Sequence, residues 1–158
     1  MRGKKAPKRK IAPDPVHGDV LLAKFINHVM LNGKKSVAQK IVYSALDDAA
    51  KKVGKPNVKG IDVFTKVMST LKPTIRLRSR RVGGANLQIP VQLDEDQSVF
   101  MVTKWILDAA RARKGMDMYL KLSAEFSDAY NGTGTAMKKR EELHKMAEAN
   151  KAYAHFNW

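Results

Sequence analysis

The spacing of apolar residues constrains the fold of this chain more than any other feature. Along most of its length, apolar side chains recur every three to four residues, which is the period of a helix that buries one face. Between residues 74 and 92 the period changes to two, which is the period of a β-strand. Gly83-Gly84 interrupts that segment as a turn would. The pattern therefore predicts a mainly α-helical fold with one β-hairpin.

Six helices are predicted, five with an apolar stripe and a sixth that is mostly charged. In chain order they begin near Leu21, Ala38, Ile61, Val99, Tyr119 and Thr135. We expect the preceding helices to end at Asn32-Gly33, Gly54, Pro73 and Asn131-Gly132. We expect the side chains that cap helix starts to be Ser36, Asp94 (with Gln97) and Thr135. Residues 18–158 then form a single helical domain, from which a β-hairpin arm protrudes at about 74–92.

Positive charge is in large excess. The chain has 30 Lys and Arg against 15 Asp and Glu, a formal net charge of +15. Such an excess attracts polyanions, so nucleic acid is the leading candidate partner and an anionic membrane surface is the alternative. No apolar run approaches the roughly 18 residues that a membrane span needs, and no signal peptide is expected. The lack of Cys excludes disulfides and thiolate zinc sites and is compatible with a reducing cytoplasm.

Residues 1–17 are predicted to be a basic tail that is disordered on its own. Within the first ten positions there is no acid and almost no apolar side chain, and the cations are Arg2, Lys4, Lys5, Lys8, Arg9 and Lys10. A segment of this composition cannot offset the entropy lost on ordering. We expect it to bind RNA and to become ordered there, the alternative being a tail that stays solvated.

The hairpin carries the most specific signal for nucleic acid. The chain has no acid between Asp62 and Asp94, and alternate positions of the first strand in that interval are arginines that share one face. A guanidinium offers a planar fork of donors that matches phosphate oxygens, and glycines at the tip allow close approach of the backbone. The alternative is a solvated strand edge protected by charge. The candidate contacts are Arg76, Arg78, Arg80, Arg81, Gly83 and Gly84.

The same faces predict the register of the hairpin. A two-residue loop at Gly83-Gly84 would pair Val82 with Ala85 and put the arginines on the face of the apolar residues of the second strand. Neither face could then pack without burying charge, which is costly when the charge is unpaired. A slip of one residue exchanges the faces. The sequence therefore favours a loop of three residues, 83–85, or a bulge beside it, with a basic face aimed at RNA and an apolar face on the domain.

Three further groups of cations are candidate RNA contacts. A helix start favours a bound phosphate, and a helix end favours cations whether or not they bind anything. For each group the alternative is an ordinary solvated surface. The groups are Lys34-Lys35 before the second helix, Arg111, Arg113 and Lys114 at the end of the fourth, and Lys138, Lys139 and Arg140 on the sixth.

Two other function classes are weaker. An enzyme is disfavoured because the four histidines, His17, His28, His144 and His155, are scattered without ligand spacing. We predict no catalytic residue, metal or cofactor, and we expect the acids at 94–96 to begin a helix. A DNA-bending protein would carry an apolar wedge near the tip of its arm, where this chain offers only Val82.

Seven short segments follow one another along nearly the whole chain and are specific in combination. They read Leu-Ala-Lys-Phe at 22–25, Asn-Gly-Lys-Lys-Ser at 32–36, Ile-Val-Tyr-Ser-Ala-Leu at 41–46, Ser-Arg-Arg-Val-Gly-Gly at 79–84, Ile-Pro-Val at 89–91, Thr-Ala-Met-Lys-Lys-Arg-Glu at 135–141 and Met-Ala-Glu-Ala-Asn-Lys-Ala-Tyr-Ala-His at 146–155. Together they resemble the family of ribosomal protein seven of the bacterial-type small ribosomal subunit.

The resemblance implies a helical domain with a hairpin arm, and a structural role rather than catalysis. Its members bind the 3′ major domain of small-subunit ribosomal RNA and nucleate assembly of the head. Their hairpin lies near the exit-site transfer RNA and the messenger RNA exit path, where a neighbouring ribosomal protein of the platform contacts them. The implied location is the ribosome in the cytoplasm, with an organellar ribosome left open. One departure is the acidic stretch at 94–96, where the family has basic residues, so the resemblance carries no RNA contact over to that linker.

Overall fold

The computed structural model of the chain describes residues 3, 6–7, 9–54 and 56–156. Six α-helices and a β-hairpin appear in the predicted order, and a short 3-10 helix that the sequence pattern did not indicate follows them. The elements are α1 Val20–Val29, α2 Lys35–Val53, α3 Gly60–Leu71, β1 Ile75–Val82, β2 Ala85–Gln92, α4 Glu95–Ala112, α5 Met118–Tyr130, α6 Thr135–Ala149 and the 3-10 helix Lys151–Phe156. The prediction of a mainly α fold with one hairpin is confirmed.

The apolar stripes of the helices meet in one core. At its centre Phe25 of α1, Phe64 of α3 and Phe126 of α5 have no exposed surface. Their ring centroids are 5.5, 5.7 and 6.1 Å apart, which is the distance range of favourable edge-on and tilted aromatic pairs. Helix α5 contacts α2, α3 and α4. The apolar residues that recur with the predicted helical period are therefore the ones that pack around α5.

Three predicted helix ends, at Gly54, Pro73 and Asn131-Gly132, are confirmed, α1 ends earlier than predicted, at Val29, and two predicted caps are wrong. Gly54 ends α2 in the left-handed region at φ 64°, and α3 ends at Leu71 with Lys72, before the proline, as its C-cap. Ser36 does not cap α2, because the helix already begins at Lys35 and Ser36 lies within its first turn. Thr135 is likewise the first residue of α6 rather than its cap, because Gly134 at φ 96° takes the cap position.

The start of α4 is partly as predicted. Asp94 is the N-cap residue, and the two acids that follow it lie in the first turn, where they complement the helix dipole. The side chain of Asp94 makes no capping bond to the backbone. It accepts a long hydrogen bond of 3.4 Å from the Gln97 side-chain amide instead, so the predicted capping box, which needs bonds to backbone N–H groups, does not form.

The chain is already attached to the domain at Asp14, within the segment predicted as a tail. Asp14 is 3% exposed and accepts hydrogen bonds from the backbone N–H groups of Val16 and His17, at 3.2 and 3.1 Å. Its other carboxylate oxygen accepts a bond of 2.6 Å from the Tyr43 hydroxyl on α2. Burial and this hydrogen bond raise the pKa of Tyr43 to about 12. The predicted division between residues 17 and 18 stays a prediction.

The predicted register of the hairpin is wrong. Val82 pairs with Ala85, so the loop has two residues, Gly83 and Gly84. Their φ angles are 57° and 90°, and positive φ at both positions is typical of the type I′ turn, whose twist matches that of the flanking strands. A glycine pair adopts this turn without a steric cost, so the local turn chemistry outweighs the preference for separated faces.

This register gives the hairpin an inner face and an outer face. The inner face carries Arg76, Arg78, Arg80, Val82, Ala85, Leu87, Ile89 and Val91, and the outer face carries Ile75, Leu77, Ser79, Arg81, Asn86, Gln88, Pro90 and Gln92. Ile89 is 1% exposed, and the hairpin contacts both α6 and the 3-10 helix. Arg76 and Arg80 are half-buried on this packed face, with the Nε of Arg76 buried and without a hydrogen-bond partner among the described residues, while Arg78 is exposed. This register therefore does bury part of an arginine, as expected, and the hairpin adopts it nevertheless.

Candidate nucleic-acid interface

The N-terminal cations lie mostly outside the described residues. Arg2, Lys4, Lys5 and Lys8 are among those that the structure does not describe. Arg9 and Lys10 are described, and both are exposed. They precede the buried Asp14 by only a few residues, so these two cations lie close to the point where the chain joins the domain.

Two groups that are far apart in sequence meet at one end of the domain. Lys34 is the N-cap residue of α2 and Arg111 lies in the last turn of α4, and both line a groove of about 400 Å³. The remaining walls of the groove are apolar: Val29, Leu31, Val37, Ala38, Ile41 and Met118. Lys35, beside Lys34, is also exposed. We call Lys34, Lys35 and Arg111 the helix-end cluster.

The helix-end cluster suits a phosphate in two ways. It brings cationic side chains to the start of α2, where the first-turn N–H groups have no partner within the helix and the dipole is positive. The first turn of α2 also contains no acid. Lys34 and Lys35 were predicted as a phosphate site from the helix start alone; that Arg111 joins them could not be read from the sequence.

Arg113, two residues beyond Arg111, serves the fold instead. One of its terminal nitrogens, Nη2, lies 2.8 Å from Glu125 Oε2 and 2.6 Å from Asp128 Oδ2 on α5. These two bonds raise the pKa of Arg113 above its ordinary value. Glu125 has no exposed surface, and its second oxygen accepts a bond of 2.9 Å from the N–H of Ala136 in α6. The network ties the end of α4 to α5 and α6. Lys114, the other predicted cation here, is exposed.

Glu125 is the residue of this network that the sequence analysis missed. It lies three residues after Leu122 and next to Phe126, on the buried stripe of α5. An acid within an apolar stripe is a signal that a partner must be supplied, because an unpaired buried charge is costly. That signal could have directed attention to a nearby arginine.

The cations of α6 differ in exposure. Lys138 is exposed, while Lys139 is half-buried with its Nζ 3.8 Å from Asp108 Oδ2 on α4. Arg140 is also half-buried, and its Nε is buried without a hydrogen-bond partner among the described residues. The helix buries Ala136, Leu143 and Ala147. The predicted polar sixth helix is therefore packed along one side, against the domain and the hairpin.

The arginines of the arm also differ in their exposure to solvent. Arg78, Arg81 and the two glycines of the tip are exposed, whereas Arg76 and Arg80 are half-buried on the inner face. Arg80 Nη1 donates a hydrogen bond of 3.3 Å to the backbone oxygen of Phe156 in the 3-10 helix. The predicted stripe is thus partly held against the C-terminal segment.

The acidic start of α4 is neutralised within the domain. Lys72 Nζ lies 2.7 Å from Glu95, and Lys24 Nζ lies 3.1 Å from Asp96. The hydrogen bond and the charge of Lys72 lower the pKa of Glu95. These acids hold the end of α3 and the side of α1 to α4, which accounts for acidic residues on a strongly basic chain.

The described residues give no sign of a metal centre or a membrane span. No group of three or more described His, Asp or Glu residues is arranged to hold a metal ion. None of the helices in the described ranges has the length and apolar character to cross a membrane. Three histidines lie beside aromatic rings: His17 beside Tyr43, His28 beside Phe100 and His155 beside Phe156.

Comparison with known proteins identifies the family. Residues 1–151 match the family described as ribosomal protein S7p/S5e. Similar proteins include small ribosomal subunit protein uS7 of Fervidobacterium nodosum, at 49% identity, and those of Petrotoga mobilis and Thermotoga maritima, each at 50%. Each alignment covers 158 residues and the full length of both chains. This is a family of ribosomal proteins, which confirms the predicted resemblance and the prediction that the chain is not an enzyme. The chain belongs to the ribosomal protein S7p/S5e family.

Proposed function

We propose that the chain is a structural constituent of the small ribosomal subunit that binds the 3′ major domain of its ribosomal RNA directly. The observation that carries this proposal is how the cations are divided. Lys24, Lys72 and Arg113 are held by carboxylates of the domain, whereas the helix-end cluster is exposed around one groove. Exposed cations gathered at a helix start are what a phosphate backbone requires.

Binding of this kind is driven by the release of counterions. Each phosphate that a cation neutralises releases condensed counterions, so affinity falls as the salt concentration rises. With several cations in contact, the logarithm of affinity should fall steeply with the logarithm of salt, by roughly 0.7–0.9 for each phosphate. A slope near zero would contradict the proposal.

Two matched variants test whether the location of charge matters or only its amount. Lys34→Gln with Arg111→Gln removes two exposed cations, and Lys24→Gln with Lys72→Gln removes two cations that are paired with acids. Affinity would be measured for an RNA of the 3′ major domain across a range of salt. We expect the first variant to lose at least tenfold in affinity and about 1.5 in slope, and the second to lose much less. Equal losses would show that only net charge matters.

The finer parts of the proposal concern assembly and the decoding path. We propose that the chain nucleates assembly of the head and that its hairpin lies near the exit-site transfer RNA and the messenger RNA exit path. Reconstitution of small subunits without the chain should leave later head proteins unbound. Subunits whose chain lacks residues 78–87 should assemble but release exit-site transfer RNA faster. A normal rate of release of exit-site transfer RNA would contradict the proposed position of the hairpin.

A further inference from the structure

The distal part of the arm carries a polar patch on its outer face. Ser79 pairs across the strands with Gln88, and Arg81 pairs with Asn86. All four residues are exposed. Side chains directly opposite each other in an antiparallel pair are separated by about 4.5–5.5 Å at Cβ, so these four form one continuous surface. We call them the outer-face patch.

The inner face at the same level of the arm is already occupied. The 3-10 helix packs against β2, Ile89 is buried, and Arg80 donates its hydrogen bond to Phe156. RNA could contact this face over its full width only if the C-terminal segment left it. The outer-face patch has no such cover, since its four residues are exposed to solvent.

We propose that the arm contacts RNA through the outer-face patch and not through the arginine stripe. This inference rests on the proposed function and assigns the face of the arm that performs it. The Arg81 guanidinium can clamp a phosphate with two parallel bonds. The amides of Asn86 and Gln88 both donate and accept, which suits the 2′-hydroxyls and base edges of an unpaired strand. The Ser79 hydroxyl adds a donor and an acceptor of the same kind.

Charge and composition both favour RNA over a protein partner at this patch. The stretch from 63 to 93 contains no acid, so nothing within the arm's own sequence repels a phosphate. The patch also lacks the aromatic or large apolar anchor that usually supplies binding energy at a protein interface. On this account Arg80 is a positioning residue, which fixes the arm on the C-terminal segment so that the outer face is turned towards RNA.

The lack of cysteine in the chain makes a direct test possible. Single cysteines would be introduced as Gln88→Cys on the outer face and Arg78→Cys on the inner face, both at exposed positions. Lys35→Cys in the helix-end cluster serves as a probe of the proposed function. Each variant would be incorporated into small subunits carrying transfer RNA, labelled with a short photoactivatable thiol reagent and irradiated. Sequencing the attached RNA then distinguishes ribosomal RNA from transfer RNA.

We expect the probe at Gln88→Cys to crosslink RNA at least fivefold more than the probe at Arg78→Cys. Equal or reversed yields would overturn the assignment of faces, as would crosslinks from Gln88→Cys to protein alone. If Lys35→Cys crosslinks RNA and Gln88→Cys does not, the outer-face inference fails and the proposed function stands. If neither position crosslinks RNA, both fail.

The positioning role of Arg80 has its own readout. Arg80→Gln removes the charged donor to Phe156, so amide hydrogen exchange in the arm should become faster in the free protein. Arg81 is the next residue in the chain and lies on the outer face. Arg81→Gln should leave those exchange rates unchanged, and it should lower the yield of RNA crosslinked to the probe at Gln88→Cys. If Arg81→Gln loosened the arm and Arg80→Gln did not, the positions of the two faces would be wrong.

Discussion

The helical domain and the arm use arginine differently. In the domain, Arg113 lies between Glu125 and Asp128 and holds three helices together. In the arm, Arg78 and Arg81 are exposed on a stretch of sequence without acids, and Arg80 contacts a backbone oxygen. The residue type is the same in both regions. Whether carboxylates lie close by decides whether an arginine joins helices or stays exposed.

This difference shows how a chain with twice as many cations as acids can fold and still bind a polyanion. Several of its acids are placed where they neutralise cations of the domain, as Glu95 does for Lys72 and Asp96 for Lys24. Three groups of the remaining cations lie on the arm, at the helix-end cluster and in the N-terminal sequence. Exposed ion pairs add little stability, so these pairs mainly limit repulsion within the domain.

The largest expected effect is a difference between the domain and the arm in how much a buried side chain contributes to the free energy of unfolding. Phe126→Ala removes a ring from the centre of the core and should lower the free energy of unfolding by about 3–5 kcal/mol. Ile89→Ala also removes buried side-chain volume, but from the arm. Its effect should be confined mostly to hydrogen exchange of residues 75–92. If Ile89→Ala lowered the global unfolding free energy as much as Phe126→Ala, the arm and the domain would be a single cooperative unit.

The next effect sharpens the contrast between a structural and an exposed arginine. Arg113→Ala leaves the buried carboxyl group of Glu125 without its ion-pair partner, and should cost about 2–4 kcal/mol, somewhat less than for a fully buried pair because the Arg113 side chain is partly exposed. Its folded form should keep RNA affinity within about twofold, or roughly 0.4 kcal/mol. Denaturant unfolding and RNA titration measure the two quantities.

Arg111→Ala is the matched control, two residues earlier on α4. It should lower RNA affinity while changing stability by less than about 0.5 kcal/mol, as exposed substitutions usually do. A larger loss of RNA affinity for Arg113→Ala than for Arg111→Ala would contradict the assignment of Arg113 to the fold and Arg111 to RNA binding.

A smaller effect concerns the point where the N-terminal segment joins the domain. Tyr43→Phe removes the hydroxyl that donates to the buried Asp14, and should cost about 1–3 kcal/mol. Because folding raises the pKa of Tyr43 from 10.0 to about 12, the stabilisation is complete below pH 10 and is lost as the pH rises towards 12. The difference in stability between the natural chain and Tyr43→Phe should therefore shrink across that interval. A difference that grew with pH would contradict the assignment.

The helices could be predicted from the sequence, because each apolar stripe can be buried only against the one core of the domain. The sequence was insufficient for the hairpin register, because separate polar and apolar faces favoured one register and the Gly-Gly turn favoured the other. Arg76 and Arg80 are half-buried on the packed face, and a Gly-Gly pair adopts the two-residue turn readily. The turn dipeptide was the stronger signal, and it was present in the sequence.

The contacts that hold the domain together, like those that form the candidate site, join residues that are distant in the chain. Arg113 finds its partners 12 and 15 residues later on the next helix, and Tyr43 reaches back 29 residues to Asp14. Arg111 joins Lys34 only because the end of α1, the start of α2 and the end of α4 lie on the same side of the domain. Helical periodicity gives the inward face of each helix but not the order in which helices surround the core, so these meetings could not be predicted.

The most direct test of the central claim is to crosslink the chain to RNA in living cells and to sequence what is attached. Direct binding to the small subunit predicts that most crosslinked reads come from the 3′ major domain of the small-subunit ribosomal RNA. The peptides attached should include the helix-end cluster and the outer-face patch. Reads spread in proportion to RNA abundance, or crosslinks confined to the surroundings of Arg113 and its carboxylate partners, would contradict the account.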